Sequence, residues 1–228
     1  MKDNPIIVAL DFESPAEASA LVARLGERVH FYKVGMELYA AAGMAFAKEL
    51  RAQGKNVFLD MKFYDIPETV RRAVCQVARA GLQFLTVHGS DAVMRAAVEG
   101  RGAASLKLLA VTVLTSFDRQ DIEDLGYPCE VSTLVDLRVR KARELGIDGI
   151  VASPLDAARI RRTAGREMIV VTPGVRSAGA AKGDQKRVAT PAEAIRDGAD
   201  YVVMGRQITR AADPAAELDR VLEEIAAV

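Results

Sequence analysis

Two carboxylates and an ammonium, those of Asp60, Lys62 and Asp65, lie within six residues at the end of an apolar run. Side chains two residues apart point to the same face of a β-strand, so Asp60 and Lys62 are expected to leave the backbone side by side. Asp65 is expected just past the end of that strand. Because unpaired charge is costly beside apolar residues such as Phe58 and Leu59, these groups should either pair or take part in chemistry.

The charged segment has two interpretations when it is taken alone. It can be a solvated ion-pair network at the end of a strand, or it can be part of an active site. Pro67 suits the first turn of a helix, so the segment is predicted to run from a strand through a charged loop into a helix. Active sites of α/β barrels lie at this junction, which favours the second interpretation.

The length and the balanced charge of the chain indicate its domain organisation and the kinds of partner to expect. The chain has 228 residues, of which 50% are hydrophobic and 27% are charged, and we predict a single domain over residues 1–228. The 31 basic and 31 acidic residues give a formal net charge of +0, so no overall field favours nucleic acid or an anionic membrane. Any anion-binding site is therefore expected to be local.

Metal, redox and membrane chemistry find little support in the sequence. The two cysteines, Cys75 and Cys129, have no partner at metal-ligand or redox-motif spacing, and two histidines argue against a histidine-rich metal site. The apolar run at 6–10 is too short for a signal peptide and is followed at once by Asp11. No apolar run approaches the length of a spanning helix. We therefore expect a cytoplasmic protein without a metal.

Short runs rich in β-branched residues alternate with amphipathic stretches along the whole chain, which is the pattern of strands and helices. The eight predicted strands are 6–10, 30–34, 56–61, 83–88, 106–113, 149–152, 168–172 and 201–204. The predicted helices include 15–25, 40–53, 67–80, 133–145, 154–163 and 191–197. Ser14 and Thr190 are suited to cap the first and last of these helices.

The alternation indicates the fold class. Prolines 15, 67, 154, 191 and 214 lie near helix starts, and glycines 26, 54, 81, 146 and 198 lie near helix ends, as the usual asymmetry of helix ends requires. Eight strands alternating with eight helices predict a (β/α)8 barrel, also called a TIM barrel. The alternative is a doubly wound open sheet, but no Gly-x-Gly-x-x-Gly follows the first strand.

Polar residues follow nearly every predicted strand, where barrel enzymes build their sites. Two of these strand ends indicate a phosphate site, because barrels often hold phosphate after strands seven and eight. Each combines a glycine with an arginine, in the segments 173–176 and 205–206. Gln185, in a polar loop at 177–187 that we interpret as a mobile flap, is suited to close over the same group. The other interpretation is that the glycines only form turns and the arginines are solvated.

Seven segments together resemble the orotidine 5′-phosphate decarboxylase family, in order and over nearly the whole chain. They are Ala9-Leu10-Asp11, Lys33-Val34-Gly35, the run from Leu59 to Val70, Leu114-Thr115-Ser116, Thr172-Pro173-Gly174-Val175-Arg176, Gly183-Asp184-Gln185 and Gly205-Arg206. The Asp-x-Lys-x-x-Asp motif alone also fits related sugar-phosphate decarboxylases and aldolases. The segments 172–176 and 183–185 are more specific and favour the orotidine 5′-phosphate decarboxylase family over these relatives. Tyr64 departs from the pattern, since the family usually has histidine before that aspartate, and we expect little effect on function.

The resemblance implies a substrate and a role for each residue. Orotidine 5′-monophosphate would lose CO2 without a cofactor, with Lys62 as proton donor to C6 and with Asp60, Asp65 and Lys33 completing the catalytic charges. The implied substrate contacts are Asp11 and Lys33 to the ribose hydroxyls, Thr115 and Ser116 to the pyrimidine, and Pro173, Arg176, Gln185, Gly205 and Arg206 around the phosphate. The resemblance also implies a homodimer in which Asp65 and Thr69 reach into the neighbouring subunit.

Two other functions stay open at this point. A non-catalytic barrel that binds a phosphosugar would need only the phosphate loops, with the charged cluster as a structural element. A metal-dependent sugar-phosphate decarboxylase or aldolase would share the cluster, and activity that survives a chelator would count against it.

Overall fold

The computed structural model describes residues 4–178 and 189–228, and its eight parallel strands form a closed barrel. Neighbouring strands pair in sequence order, and β8 pairs with β1 through Ile6 and Val202. The strands are β1 Ile6–Ala9, β2 Phe31–Gly35, β3 Asn56–Phe63, β4 Phe84–His88, β5 Lys107–Val111, β6 Gly149–Val151, β7 Ile169–Pro173 and β8 Tyr201–Met204. The predicted barrel is confirmed, and no predicted strand end is wrong by more than two residues.

Helices connect the strands on the outside of the barrel. Within the described residues they are α1 Pro15–Leu25, α2 Met36–Ala52, α3 Pro67–Arg79, α4 Asp91–Arg101, α5 Arg119–Asp124, α6 Val131–Glu144, α7 Ala157–Ala164, α8 Pro191–Arg196, α9 Arg206–Thr209 and α10 Pro214–Ala226. The short helices α5 and α9 add to the eight that were predicted. Helix α2 begins four residues before its predicted start at residue 40 and is interrupted at Gly43, whose φ of 63° leaves the helical region.

The predicted helix caps are confirmed. The Ser14 hydroxyl accepts from the backbone N–H of Ala16 at 3.2 Å, and Thr190 forms a capping box with Glu193. All five prolines named above occupy the first positions of helical turns, although the turn at Pro154–Asp156 is a 3-10 helix that precedes α7. These local signals fix where each helix begins and therefore how long each strand-to-helix loop is.

The barrel interior is filled by a layer of large side chains. Phe31, Phe58, Phe84 and Tyr201 contact one another edge to face or tilted, with ring centroids 4.8 to 5.9 Å apart. Aliphatic residues of the other strands complete this cluster. A second and larger cluster lies between the strands and the helices, and it holds the opposite face of each strand, including Val8, Val34 and Leu59. The two clusters fix which face of each strand points inward.

The inward-facing positions carry different chemistry at the two levels of the barrel. Phe31, Phe58 and Phe84 point into the barrel. Because side chains alternate between the two faces of a strand, the side chain two residues after each of them also points inward. Those next positions are Lys33, Asp60 and Thr86. The interior of the barrel therefore has an aromatic layer and, next to it at the carboxyl ends of the strands, a polar layer.

No helix among the residues 4–178 and 189–228 combines the length and the apolar character that crossing a membrane requires.

Candidate active site

Four charged side chains of alternating sign meet at the carboxyl ends of β1, β2 and β3. Lys33 Nζ lies 2.9 Å from Asp11 Oδ1 and 3.8 Å from Asp60 Oδ2. Lys62 Nζ lies 2.9 Å from the other oxygen of Asp60, Oδ1. The order across the mouth is therefore Asp11, Lys33, Asp60, Lys62. The predicted proximity of Asp60 and Lys62 is confirmed.

The end of β3 is irregular at the residue that carries the ammonium. The register between β3 and β4 shifts between Leu59 and Phe63, and Lys62 has a φ of 49°, the only positive φ of a non-glycine residue in the described chain. Such a backbone conformation costs on the order of 1 kcal/mol or more for a residue with a Cβ, and outliers of this kind cluster at functional sites. Strand alternation alone is therefore an incomplete account of how Lys62 reaches Asp60.

Asp60 is held as a carboxylate by its neighbours. Its side chain is only 15% exposed, and burial by itself would raise its pKa. The charges of Lys33 and Lys62, together with hydrogen bonds from Lys62 and Thr86, outweigh burial and lower the pKa of Asp60 below its ordinary value. The site therefore maintains a negative charge beside the ammonium of Lys62.

Gly35 makes room for the ammonium of Lys33. A Cβ built on Gly35 would lie 2.8 Å from Lys33 Nζ and 3.2 Å from Asp11 Oδ1, so a side chain at this position would displace the pair. The resemblance of Lys33-Val34-Gly35 to the family segment thus has a steric reason in the structure. Glycine at this position permits the close approach that the charged pair needs.

Thr86 is the site residue that the sequence analysis missed. Its hydroxyl is fully buried, donates to Asp60 Oδ1 at 2.9 Å and accepts from the backbone N–H of Lys62, also at 2.9 Å. One hydroxyl therefore holds both the carboxylate and the backbone of the irregular residue. A threonine between the apolar residues Leu85 and Val87 was the available signal, because a buried hydroxyl requires a partner.

Asp65 and Thr69 lie on the rim, away from the charged row. Both side chains are exposed, and Asp65 Oδ1 accepts from the backbone N–H of Ile66 at 2.6 Å. Both line a cavity of about 320 Å³ that Lys62 also borders. Among the described residues, Asp65 makes no ion pair with Lys62. Within one chain, Asp65 thus does not extend the alternating row.

Tyr64 lies beyond the end of β3, so strand alternation does not set its direction. Its ring stacks on His88 at the end of β4, with centroids 4.1 Å apart and planes inclined by 30°. Burial, reinforced by the positive charge of Arg138, lowers the pKa of His88 to about 4. The tyrosine therefore packs against a neutral imidazole at pH 7.

The strand ends predicted to bind phosphate lie next to the charged row. Gly174, after β7, has a φ of 80°, and Gly205, after β8, would place a Cβ 3.7 Å from Asp11 Oδ2. Gln207 joins the two loops, since its amide donates to Ser177 Oγ at 2.8 Å and accepts from the Ser177 N–H at 3.1 Å. This bridge was not predicted from the sequence.

The remaining predicted residues surround this mouth. Arg206 begins α9 and is exposed, while Arg176 donates to the carbonyl of Val175 at 2.6 Å. Pro173 ends β7, and Thr115 and Ser116 lie half-buried in the loop after β5. Gln185 and most of the predicted flap at 177–187 lie outside the described residues.

Groups of three or more His, Cys, Asp or Glu side chains arranged to hold a metal ion do not occur in the part of the chain that the structure describes.

A closed (β/α)8 barrel with a row of charged side chains and two glycine-arginine loops at its carboxyl end has the architecture of a barrel enzyme. The model of the Orotidine 5′-phosphate decarboxylase / HUMPS family matches residues 4–221, and the chain belongs to this family.

Relatives named orotidine 5′-phosphate decarboxylase are similar to this chain over nearly its whole length. The chain is 52% identical over 221 residues to the orotidine 5′-phosphate decarboxylase of Nitrobacter winogradskyi, covering 97% of this chain and 92% of that protein. It is also 52% identical over 220 residues to that of Rhodopseudomonas palustris strain BisA53, covering 96% and 94% of the two chains. The crystal structure of the Lactobacillus acidophilus orotidine 5′-phosphate decarboxylase superposes with a TM-score of 0.86 at 34% identity, covering 98% of this chain and 99% of that one.

Proposed function

We propose that this protein converts orotidine 5′-monophosphate to uridine 5′-monophosphate and CO2, with Lys62 as the proton donor to C6 of the pyrimidine. The family and the named relatives support the overall reaction, which belongs to pyrimidine biosynthesis. The observation that carries the role of Lys62 is its ammonium, held 2.9 Å from a carboxylate at the carboxyl end of the barrel. Of the two ammonium groups in the charged row, Lys62 is the more accessible to a ligand, with 34% of its side chain exposed against 11% for Lys33. An ammonium can both stabilise negative charge and donate a proton.

The proposed chemistry follows the electron pair. Cleavage of the bond between C6 and the carboxylate releases CO2 and leaves the bonding electrons on C6, where the ring delocalises them poorly. The positive charge of Lys62 stabilises this carbanion, and transfer of a proton from Nζ to C6 completes the product. Lys62 is left as a neutral amine, which regains a proton from solvent after the product leaves.

Asp60 contributes less than Lys62 in this mechanism. Its carboxylate would lie near the leaving carboxylate of the substrate, and two like charges about 4 Å apart repel by roughly 4 kcal/mol at an effective dielectric constant near 20. Enzymes must lower a barrier by roughly 8 to 23 kcal/mol, so repulsion covers only part of the requirement. The larger part is assigned to a preorganised cation at C6, with binding of the remote phosphate supplying closure of the site.

The hydrogen bonds of Asp60 support its second role, which is to aim Lys62. Asp60 Oδ1 bonds both Lys62 and Thr86, while Lys33 lies on the side of Oδ2. A carboxylate fixed on both sides cannot rotate freely, so the ammonium it holds has a defined position before the substrate binds. Such preorganisation removes a reorganisation cost at the moment of reaction.

The substrate contacts are proposed from the family resemblance and the position of each strand end. Asp11 and Lys33 bind the ribose hydroxyls, Thr115 and Ser116 bind the pyrimidine, and Pro173, Arg176, Gln185, Gly205 and Arg206 surround the phosphate. The bridge between Gln207 and Ser177 supports this arrangement, because it holds the loops after β7 and β8 together. No cofactor enters the proposed reaction.

A homodimer with Asp65 and Thr69 acting in the neighbouring site is the proposed active unit. Both residues are exposed, and the segment around Asp65 also exposes Tyr64 by 69% and Ile66 by 67%. Adjacent large apolar side chains at a surface favour a protein partner. Asp65 would then supply its charge to the row of the other subunit. The single domain and the cytoplasmic location stay predictions from the sequence.

The overall reaction is tested by the fall in absorbance of orotidine 5′-monophosphate when protein is added in the presence of a chelator. We expect full turnover, with uridine 5′-monophosphate as the product. Loss of turnover in the chelator, with recovery on adding a divalent metal, would support a metal-dependent sugar-phosphate enzyme instead. Binding of the nucleotide without turnover under either condition would support the non-catalytic barrel.

The shared site is tested by mixing two inactive variants, Lys62→Ala and Asp65→Ala. In a mixed dimer one site carries both lesions and the other carries neither. Random exchange makes half of the dimers mixed, each with one intact site, so activity should return toward about a quarter of wild type. If exchange of subunits is verified by a mass tag and activity does not return, Asp65 acts in its own subunit.

A further inference from the structure

Arg138 on α6 contacts the segment 112–130, which joins β5 to α6 and includes Thr115, Ser116 and α5, at two separated points. One guanidinium nitrogen, Nη1, donates to the backbone carbonyl of Thr112, directly after β5. The other, Nη2, donates to the hydroxyl of Tyr127 at 3.3 Å, and the guanidinium carbon lies 5.4 Å from the centre of the Tyr127 ring. A single planar group therefore joins the start of this segment to Tyr127, which follows α5.

The contact to Thr112 acts just before the residues proposed to bind the pyrimidine. The pairing of β5 with β6 ends at Val111 and Val151, and Thr112 then bonds the Val151 carbonyl through both its N–H and its hydroxyl. Thr112 is thus held by two hydrogen bonds to β6 and by one from Arg138 to its carbonyl. Its carbonyl has left the regular ladder, and a buried carbonyl requires a donor. Thr115 follows three residues later.

Gly89 allows Arg138 to take this course. A Cβ built on Gly89 would lie 2.6 Å from the carbonyl oxygen of Val111 and 3.1 Å from Arg138 Cδ. The stem of Arg138 therefore runs across Gly89, directly after His88, before its guanidinium reaches the loop after β5. The positive charge of Arg138 also contributes, after burial, to the lowered pKa of His88, on which Tyr64 stacks.

We infer that Arg138 is a positioning residue that fixes the segment 112–130, which carries the proposed pyrimidine-binding residues, through Thr112 before them and Tyr127 after α5. This inference rests on the proposed function, in which Thr115 and Ser116 contact the base. Arg138 belongs to neither the charged row nor the phosphate loops, and it is assigned no contact with substrate. Arginine suits this task better than lysine because its two arms are held in one plane and donate in fixed, separate directions.

The experiment compares two ligands that differ by the base. Uridine 5′-monophosphate carries the pyrimidine, whereas ribose 5-phosphate carries only the parts expected to contact Asp11, Lys33 and the phosphate loops. Inhibition constants for both are measured against decarboxylation of orotidine 5′-monophosphate. In Arg138→Met we expect uridine 5′-monophosphate to bind about tenfold more weakly, as for loss of a charge-assisted contact, and ribose 5-phosphate to be unchanged within about twofold.

The matched control is Arg140→Met, which removes an exposed arginine from the same helix. It should leave both inhibition constants unchanged. Arg138→Lys, which keeps the charge but not the fork, should give an intermediate and selective loss for uridine 5′-monophosphate. Tyr127→Phe removes only one hydroxyl, and should give a small loss with the same selectivity even if Arg138→Met does not fold.

Equal weakening of both ligands in Arg138→Lys and Tyr127→Phe would show a general structural role and overturn the inference. Unchanged binding of both ligands in these variants would overturn it as well. Failure of the proposed function is distinguishable, because the wild-type protein would then neither decarboxylate orotidine 5′-monophosphate nor bind uridine 5′-monophosphate.

Discussion

The barrel carries ion pairs at both ends of its strands, in different chemical arrangements. At the amino ends of β5 and β6, Asp148 accepts from Arg101, from Lys107 Nζ at 3.0 Å and from the backbone N–H of Leu108 at 3.0 Å. At the carboxyl ends of β1 to β3, Asp60 accepts from side chains, those of Lys62 and Thr86. The first carboxylate accepts from the backbone of the sheet, and the second accepts from side chains of β3 and β4.

A second ion pair at the amino ends repeats the first arrangement. Asp200, before β8, accepts from Arg161 Nη2 at 2.7 Å and from the backbone N–H of Val170 at 2.8 Å. Arg161 also donates to the carbonyls of Gly198 and Met168. These contacts satisfy backbone groups at the edges of the barrel, where the strands begin. Their chemistry is that of structural support.

The carboxyl-end row differs in two respects. Both of its cations are lysines, whereas arginines accompany Lys107 at the amino ends, and Lys62 has a strained backbone with φ at 49°. Strain of this kind persists only where the surrounding contacts enforce it, here the hydrogen bond from the Lys62 N–H to Thr86. The difference teaches that charge alone does not distinguish a candidate catalytic row from a structural ion pair. The partners of the charge and the backbone that carries it distinguish the two.

The largest expected effect separates the two ammonium groups that pair with a carboxylate. In Lys62→Ala we expect kcat to fall by more than about 100-fold with the fold intact, because general acid catalysis contributes roughly 10² to 10⁴ and this contact acts only once charge develops. Lys107→Ala, which removes the ammonium beside Asp148, should keep kcat near wild type. Steady-state kinetics with circular dichroism measures both. A Lys62→Ala enzyme that retains more than about a hundredth of kcat would contradict the proton-donor role.

Arg206 is expected to show the next largest effect. Arg206→Ala should lower kcat/KM for orotidine 5′-monophosphate by about 100-fold, or about 3 kcal/mol, because it deletes a charge-assisted contact to a dianion. Orotidine, which lacks the phosphate, should be affected far less. Arg210→Ala, at the end of the same short helix, is the control. Equal losses for the two substrates would remove Arg206 from the phosphate site.

Asp148 should affect stability without affecting turnover. In Asp148→Asn we expect the free energy of unfolding to fall by about 2 kcal/mol, because Arg101 and Lys107 lose their common counter-charge in a partly buried setting. The kcat of the folded enzyme should not change. Urea unfolding at a fixed protein concentration measures the first quantity and steady-state kinetics the second.

The control for Asp148 is Asp219→Asn, which breaks an ion pair with Arg28 whose side chains are about half exposed. Exposed pairs contribute roughly 0 to 1 kcal/mol, so this variant should lie close to wild type in stability. A loss of kcat in Asp148→Asn would mean that the two ends of the barrel are coupled and that the contrast between them is too simple.

The fold was largely predictable because its signals are local. Alternating β-branched and amphipathic runs gave the strands, and prolines and capping residues such as Thr190 gave the helix starts. Lys33 and Asp60 were predictable as members of the candidate site because they are charged residues within or at the end of short apolar runs. These properties need only a few consecutive residues to be read.

What the sequence did not reveal depends on contacts between distant segments. Nothing in the residue types near Lys62 marks a positive φ, because Thr86, 24 residues away, enforces it. The bridge between Gln207 and Ser177 joins residues 30 positions apart, and Arg138 reaches Thr112 over 26 positions. Such partners are set by barrel closure and the register of the helices, which local patterns do not specify.

The smallest expected effect concerns His88, a group that is neutral among the charges of the carboxyl end. Burial, and then the charge of Arg138, lowers its pKa to about 4, from an ordinary value near 6.5. Between about pH 6.5 and pH 4, His88 is therefore protonated in the unfolded chain and neutral in the folded chain. It follows that the stabilising contribution of neutral His88 is complete above that range and is lost as the pH falls through it.

His88→Phe should remove this pH dependence while keeping an aromatic partner for Tyr64. The full shift in pKa corresponds to about 3 kcal/mol, and because His88 is only partly buried, solvent screening reduces the expected difference to about 1 to 2 kcal/mol. The measurement is the free energy of unfolding of both proteins at pH 7 and at pH 4.5. The wild type should lose more stability than the variant on acidification, since carboxylates titrate in both and cancel in the comparison. Equal losses would mean that His88 takes up a proton in the folded barrel as readily as in the unfolded chain, so that burial and the charge of Arg138 do not exclude it.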